Sequence, residues 1–235
     1  MNTTKIIAAI TLLASSSGVF PQNNAAPQLN VVQLSASATV EVQQDTLSIS
    51  LNTSKDGADA GAVQTQLKMA LDAALNEAKK SALPGQMDVR TGSFSLYPRY
   101  GKEGKLNGWL GTAELVLEGK DFARISSTAG KIQTLTMGSV SFSLSREQRQ
   151  KAEADVQATA IERFKTKAGE IAKSFGFGSY TLREVSVNAN DQGFSPRPRM
   201  MAMAAKSMAS ADEAVPVEAG KASVVVTVSG AVQLK

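Results

Sequence analysis

The chain contains no cysteine and no histidine among its 235 residues, and a single tryptophan. Each absence closes a class of chemistry. Without cysteine there is no disulfide staple, no thiol nucleophile and no lipid-modified N-terminus. Stability must come from a hydrophobic core, with association of copies as a further source. Without histidine the commonest general base and the commonest transition-metal ligand are missing. Ser-His, Cys-His and haem-His arrangements are excluded, and a zinc site would rest on carboxylates alone. No G-x-S-x-G elbow or S-x-x-K dyad occurs. The Gly-Lys pairs at 101–102, 104–105, 119–120, 130–131 and 220–221 all lack the following Ser or Thr of a phosphate loop.

The excess of charge of one sign is also small. Twenty-five Lys and Arg stand against 21 Asp and Glu, a net charge of +4 with no basic block, so no nucleic acid partner is expected. Asp45, Asp88, Glu114, Asp121, Glu170, Asp212 and Glu213 are scattered, and only folding could pair two of them. An enzyme built on such a pair has no motif to support it. The expectation is a non-enzymatic chain with no catalytic residue and no cofactor.

Long hydrophobic runs are limited to one. Lys5 precedes an apolar stretch over 6–14, followed by small residues at Ser15 to Gly18 and the polar PQNNAAPQ. That layout predicts a secretory signal peptide over 1–26, cleaved between 16 and 26. The run is shorter than the ~20 residues that span a bilayer. The expected product, 27–235, is an exported, periplasmic chain with no stable membrane insertion.

What is present is clear periodicity. VVQLSASATVEV (31–42) and TLSISLN (46–52) predict two strands joined as a hairpin, the second with Leu47, Ile49 and Leu51 alternating with polar residues. In 58–83, Val63, Leu67, Leu71 and Leu75 recur at helical spacing, with Asp59 as cap and Pro84-Gly85 as stop. Strands follow at 87–98 and 109–119 around the Gly- and charge-rich RYGKEGKLNG, which predicts a hairpin with a long tip. A shorter helix capped by Asp121 is expected over 121–137, and a strand over 140–145. The longest helix, 146–178, carries Ala152, Val156, Ala160, Phe164, Ala168 and Ala172 four apart, a row small enough for close packing. Strands at 180–189 and 221–235 flank a Pro-, Ala-, Ser- and Met-rich stretch, 191–220, read as a long flexible loop. The fold class is α+β: mainly antiparallel sheet, with two long helices and one shorter helix packed on one face.

Two clusters are candidate sites. Tyr97, Tyr100 and Trp109 crowd the hairpin, although the chain has only three Tyr. They are either register pins, with a subunit contact, or a platform for an envelope ligand. Met200, Met201, Met203 and Met208 hold half of the eight Met in one loop. That cluster reads as a flexible docking surface, as a target of oxidation, or as a thioether site for Cu(I). Arg197 and Arg199 beside it could meet an anionic lipid or glycan.

Several of these stretches taken in order resemble one family. They are LSASATVEVQQDTLSISL, the Ala/Leu-rich helix, VRTGSFSLYPRYGKEGKLNGWLGTAELVLEGKDFARIS, the Ala-rich third helix, and VPVEAGKASVVVTVSGAVQL. Over roughly residues 30 to 235 the chain is similar to the SIMPL-domain family of bacterial envelope proteins. That family includes a periplasmic immunogenic protein and a protein linked to oxidative-stress defence. Three departures affect turns: Ser35-Ala36-Ser37-Ala38 replaces a Gly-rich strand, Trp109 replaces Tyr, and Glu218-Ala219-Gly220 replaces Pro-Gly. The resemblance implies an α+β subunit that forms homo-oligomers, without established catalytic residues, in oxidative-stress or envelope defence.

Overall fold

The computed structural model describes residues 29–190 and 217–235. The expected signal peptide, and the expected loop up to residue 216, lie outside the described residues. The elements run β1 (Val31–Gln43), β2 (Thr46–Gly57), α1 (Ala60–Ser81), β3 (Asp88–Tyr100), β4 (Leu106–Gly119), α2 (Phe122–Lys131), β5 (Thr136–Ser143), α3 (Arg146–Ser174), β6 (Tyr180–Asn190) and β7 (Lys221–Leu234). The order is the one the periodicity predicts, and the fold is α+β with antiparallel pairing throughout.

The strands form two sheets, β1-β7-β6 and β3-β4-β2-β5. The expected β1–β2 hairpin is not made. β1 pairs along its length with β7, while β2 pairs with β4 and β5. The cause lies in two residues. The Gln44 amide donates to Gly220 O at 3.0 Å and continues the β1–β7 ladder; the Asp45 amide donates to Ser143 O at 3.1 Å and opens the β2–β5 ladder. Adjacent residues therefore belong to different sheets, and the chain turns a corner instead of reversing.

The four-stranded sheet packs on α1 and α2. Alternation turns Leu47, Ile49 and Leu51 of β2, and Ala113, Leu115 and Leu117 of β4, onto the buried face with Val63, Leu67 and Leu71 of α1. Gly111 makes room for that helix: a Cβ there would stand 2.4 Å from Leu67 Cδ1. The Asp59 carboxylate caps α1 by accepting from the Ala62 amide at 2.7 Å. α2 is shorter than its pattern predicts. It ends at Lys131, because Thr134 leaves the helix to donate its hydroxyl to Ala70 O at 2.8 Å, and β5 begins at Thr136. The three-stranded sheet packs on α3 alone, through the row Ala152, Val156, Ala160, Phe164, Ala168 and Ala172. Gly176, with φ +83°, follows the end of that helix at Ser174, short of the expected 178. A small cluster of Leu144, Ala152 and Val224 joins the two layers.

Candidate functional site

The β3–β4 hairpin is longer and tighter than expected. Its tip is only residues 101–105, closed by bonds from the Gly101 amide to Lys105 O (2.8 Å) and from the Gly104 amide to Gly101 O (3.0 Å). Tyr97 pairs with Leu110, Pro98 with Trp109, and Tyr100 with Leu106. Neighbouring pairs point to opposite faces of the sheet. Trp109 accordingly packs against the core of the four-stranded sheet, whereas Tyr97 and Tyr100 are 58% and 66% exposed. Trp109 is thus a core plug at the base of the hairpin. Tyr97 shares the opposite face with Leu110, whereas Tyr100, two residues beyond Pro98 and paired with Leu106, turns to the Trp109 side, so the two exposed tyrosines point to different faces.

The sequence carboxylates have local duties. The Asp121 carboxylate caps α2, accepting from the Arg124 amide at 3.0 Å, and that bond, with the Arg124 guanidinium, holds its pKa below the usual carboxylate value. Glu114 accepts from the Ser93 amide and hydroxyl at 3.1 and 3.2 Å and fills the irregularity between Thr91 and Phe94 in β3. Asp45 accepts from the Ser145 amide and hydroxyl, both at 2.6 Å, with Lys120 at 3.8 Å. Burial pushes its pKa up, but the two Ser145 bonds and Lys120 outweigh that and leave it lowered. Asp88 and Glu170 sit on β3 and α3, in different layers. Among the described residues no group of three or more His, Cys, Asp or Glu could hold a metal ion. Met200, Met201, Met203, Met208, Arg197, Arg199, Asp212 and Glu213 lie outside the described residues.

The open edges of the two sheets are the larger feature, and they are unequal. On β1, Arg163 Nη1 donates to Ser37 O at 2.9 Å and Lys167 Nζ to Ser35 O at 3.0 Å. In the β1–β7 register, Leu234 and Gly220 bond with Asn30 and Gln44. Even-numbered β1 residues therefore face β7, and the Ser35 and Ser37 carbonyls point away from it. Two cations of α3 thus occupy the groups another strand would need. β3 is interrupted after Thr91 and again after Pro98, so that Phe94 to Pro98 is its longest regular run. β5 is the shortest strand, with its regular run from Val140 to Ser143. β6 is the least protected of the four. After one irregularity at Arg183 it runs unbroken from Glu184 to Asn190. α3 lies mainly over β1 and β7. Leu182, Val185 and Val187, which share its side of the sheet, are left 52%, 45% and 40% exposed.

Sequence reasoning missed these residues. YTLREVSVNA reads as a strand, and only the placement of α3 shows that its apolar side is uncovered. The pairing of Arg163 and Lys167 with β1 carried no sequence signal beyond their spacing of four on one helix face.

The sequence pattern of the SIMPL family, described as "Protein of unknown function (DUF541)", matches residues 32–232. A search of curated proteins gave no match. Solved structures that resemble part of the chain include two of one protein. The crystal structure of AtUAH in complex with glyoxylate shares 14% identity over 56% of this chain and 34% of its own, with a TM-score of 0.26. The crystal structure of AtUAH in complex with (S)-hydroxyglycine shares 15% identity over 57% and 34%, with a TM-score of 0.27. At those scores the likeness carries no argument about activity.

Proposed function

The chain belongs to the SIMPL family, and from that premise we propose that it is an exported, non-enzymatic subunit of the bacterial cell envelope that works by self-association. The observation that carries this reading is the pair of open sheets whose edge strands leave core-side apolar residues uncovered: Phe94 on β3, Val140 on β5, and Leu182, Val185 and Val187 on β6. Exposed strand edges are templates for pairing, and apolar side chains beside them supply the driving force. Export to the periplasm rests on the layout of residues 1–26, and a part in oxidative-stress or envelope defence rests on the family resemblance. Light scattering across a dilution series tests the association: a discrete multimer that persists on dilution is expected, and a monomer at every concentration defeats the reading.

A second reading is favoured by the hairpin. Tyr97 stands exposed beside Leu110 on the face away from the core, and such a pair suits a ligand with a flat apolar face in the envelope. Its test is saturable binding that Tyr97→Ala abolishes. Trp109→Ala is the wrong probe, because its side chain serves the core.

A further inference from the structure

The strand β6 carries a specific pairing surface, and the argument starts with where its backbone groups point. Ser179 and Lys235 exchange both amide bonds, at 2.9 and 2.8 Å. Odd-numbered residues of β7 therefore turn their amides and carbonyls toward β6. Beyond the irregularity at Arg183 they meet the even-numbered Glu184, Ser186 and Asn188. Gly230 permits that crossing, since a Cβ there would lie 2.2 Å from Glu184 O. The N–H and C=O groups of Val185, Val187 and Ala189 consequently point outward, and among the described residues no side chain or strand bonds to them.

We infer that two copies join edge to edge through β6, antiparallel, with Val187 on the twofold axis. This rests on the association reading and names its surface and partner. One register satisfies every constraint. Placing Val187 opposite its own copy sets Val185 opposite Ala189, so outward groups meet outward groups, giving about six inter-strand hydrogen bonds. It uses the regular run from Glu184 to Asn190 and leaves Arg183, already bonded to Gln233 Oε1 at 3.2 Å, outside the ladder. Charge agrees. Arg183 and Glu184 are the only charged residues of β6, and the two Glu184 side chains stand at opposite ends of the ladder, about 20 Å apart. The apolar side chains agree as well: Val185, Val187 and Ala189 of both copies line one continuous strip between the two α3 helices. A two-fold interface of this kind uses one patch twice, the commonest route to a closed assembly. The other three edges are capped, interrupted or short, as described above.

The absence of cysteine makes the test clean. Val187→Cys places two thiols about 5.5 Å apart between Cα atoms across the axis, within disulfide reach. Mild oxidation of the purified protein should convert Val187→Cys to covalent dimer, while Thr39→Cys on the capped β1 edge stays single. Val187→Pro removes an outward N–H that the monomer does not use, and Val187→Lys sets like charges face to face. Each should weaken the dimer by about tenfold or more, with the circular dichroism of the fold retained. If wild type is multimeric and all three β6 variants behave like it, the interface lies on another edge and the inference fails while the association reading stands. If wild type is monomeric at every concentration, both fail. A monomer whose Val187→Cys thiol resists labelling would show the edge covered by the same chain, and would also overturn the inference.

Discussion

At the scale of single residues, Asp45 does the most. Its carboxylate holds the amide and hydroxyl of Ser145, and Ser145 in turn caps α3 by accepting from the Gln148 amide at 3.3 Å. The folded pKa of Asp45 is lowered, so its stabilising contribution is complete above the unfolded value of about 3.9 and is lost as pH falls through the folded one. Glu147, whose pKa is lowered by its own backbone amide and by Lys120, gives way in the same direction. Thermal unfolding should therefore be flat through neutral pH and decline below about pH 4. Asp45→Ala should cost about 1–3 kcal/mol in urea unfolding at pH 7 and flatten part of the acid decline. A variant as acid-sensitive as wild type would remove Asp45 from that account. The hairpin aromatics divide in the same manner. Trp109→Ala should cost about 1–3 kcal/mol, below the range for a fully buried ring because Trp109 is only half-buried. Tyr97→Ala should stay within about 0.5 kcal/mol. Equal losses at the two positions would contradict the opposite-face geometry.

At the scale of elements, α3 has two separate tasks. Its small-residue row lets the helix lie close on β1 and β7, and Phe164 is the one large side chain in that row, 2% exposed. Its flank sends Arg163 and Lys167 over the β1 edge. Replacing both flank residues with Ala should leave the helix intact and free two strand carbonyls. The expected outcome is a rise in mass by light scattering, beyond the wild-type assembly and at unchanged helical content; an unchanged mass would show that the cap does not restrain pairing. The α3 row was legible in the sequence residue for residue, as were the caps Asp59 and Asp121, because 3.6-residue periodicity and capping are local. The β1–β2 corner was not legible. A two-residue link between alternating strands looks like a hairpin until the partners of Gln44 and Asp45, at Gly220 and Ser143, are known. The end of α2 escaped for a similar reason: Thr134 is drawn off by Ala70, far away in sequence. The aromatic cluster dissolved because nearness along a strand says nothing about which face each side chain takes.

At the scale of the molecule, the described residues form two units: α3 with β1, β6 and β7, and α1 and α2 with β2 to β5. No element of one packs extensively on an element of the other. They are coupled at one place. Gln44 Nε2 donates to Phe142 O at 2.9 Å. Asp45 binds Ser145, Lys120 reaches Glu147 at 3.4 Å, and Leu144 packs with Ala152 and Val224. Val217 adds a contact from the approach to β7 onto the larger core. Each unit has its own buried cluster, so cooperativity between them depends on this junction and not on shared core. Wild type should unfold in a single calorimetric transition whose van't Hoff and calorimetric enthalpies agree. Asp45→Ala combined with Leu144→Ala removes the carboxylate and the apolar contact together, and should split that transition, with the three-stranded unit melting first because one helix covers only part of its sheet. A double variant that still melts in one step, merely at lower temperature, would mean that the units are held together elsewhere. Pairing through β6 would then be the natural place to look, since it adds strands and a second helix to the weaker unit, and the melting of that unit should in that case depend on protein concentration.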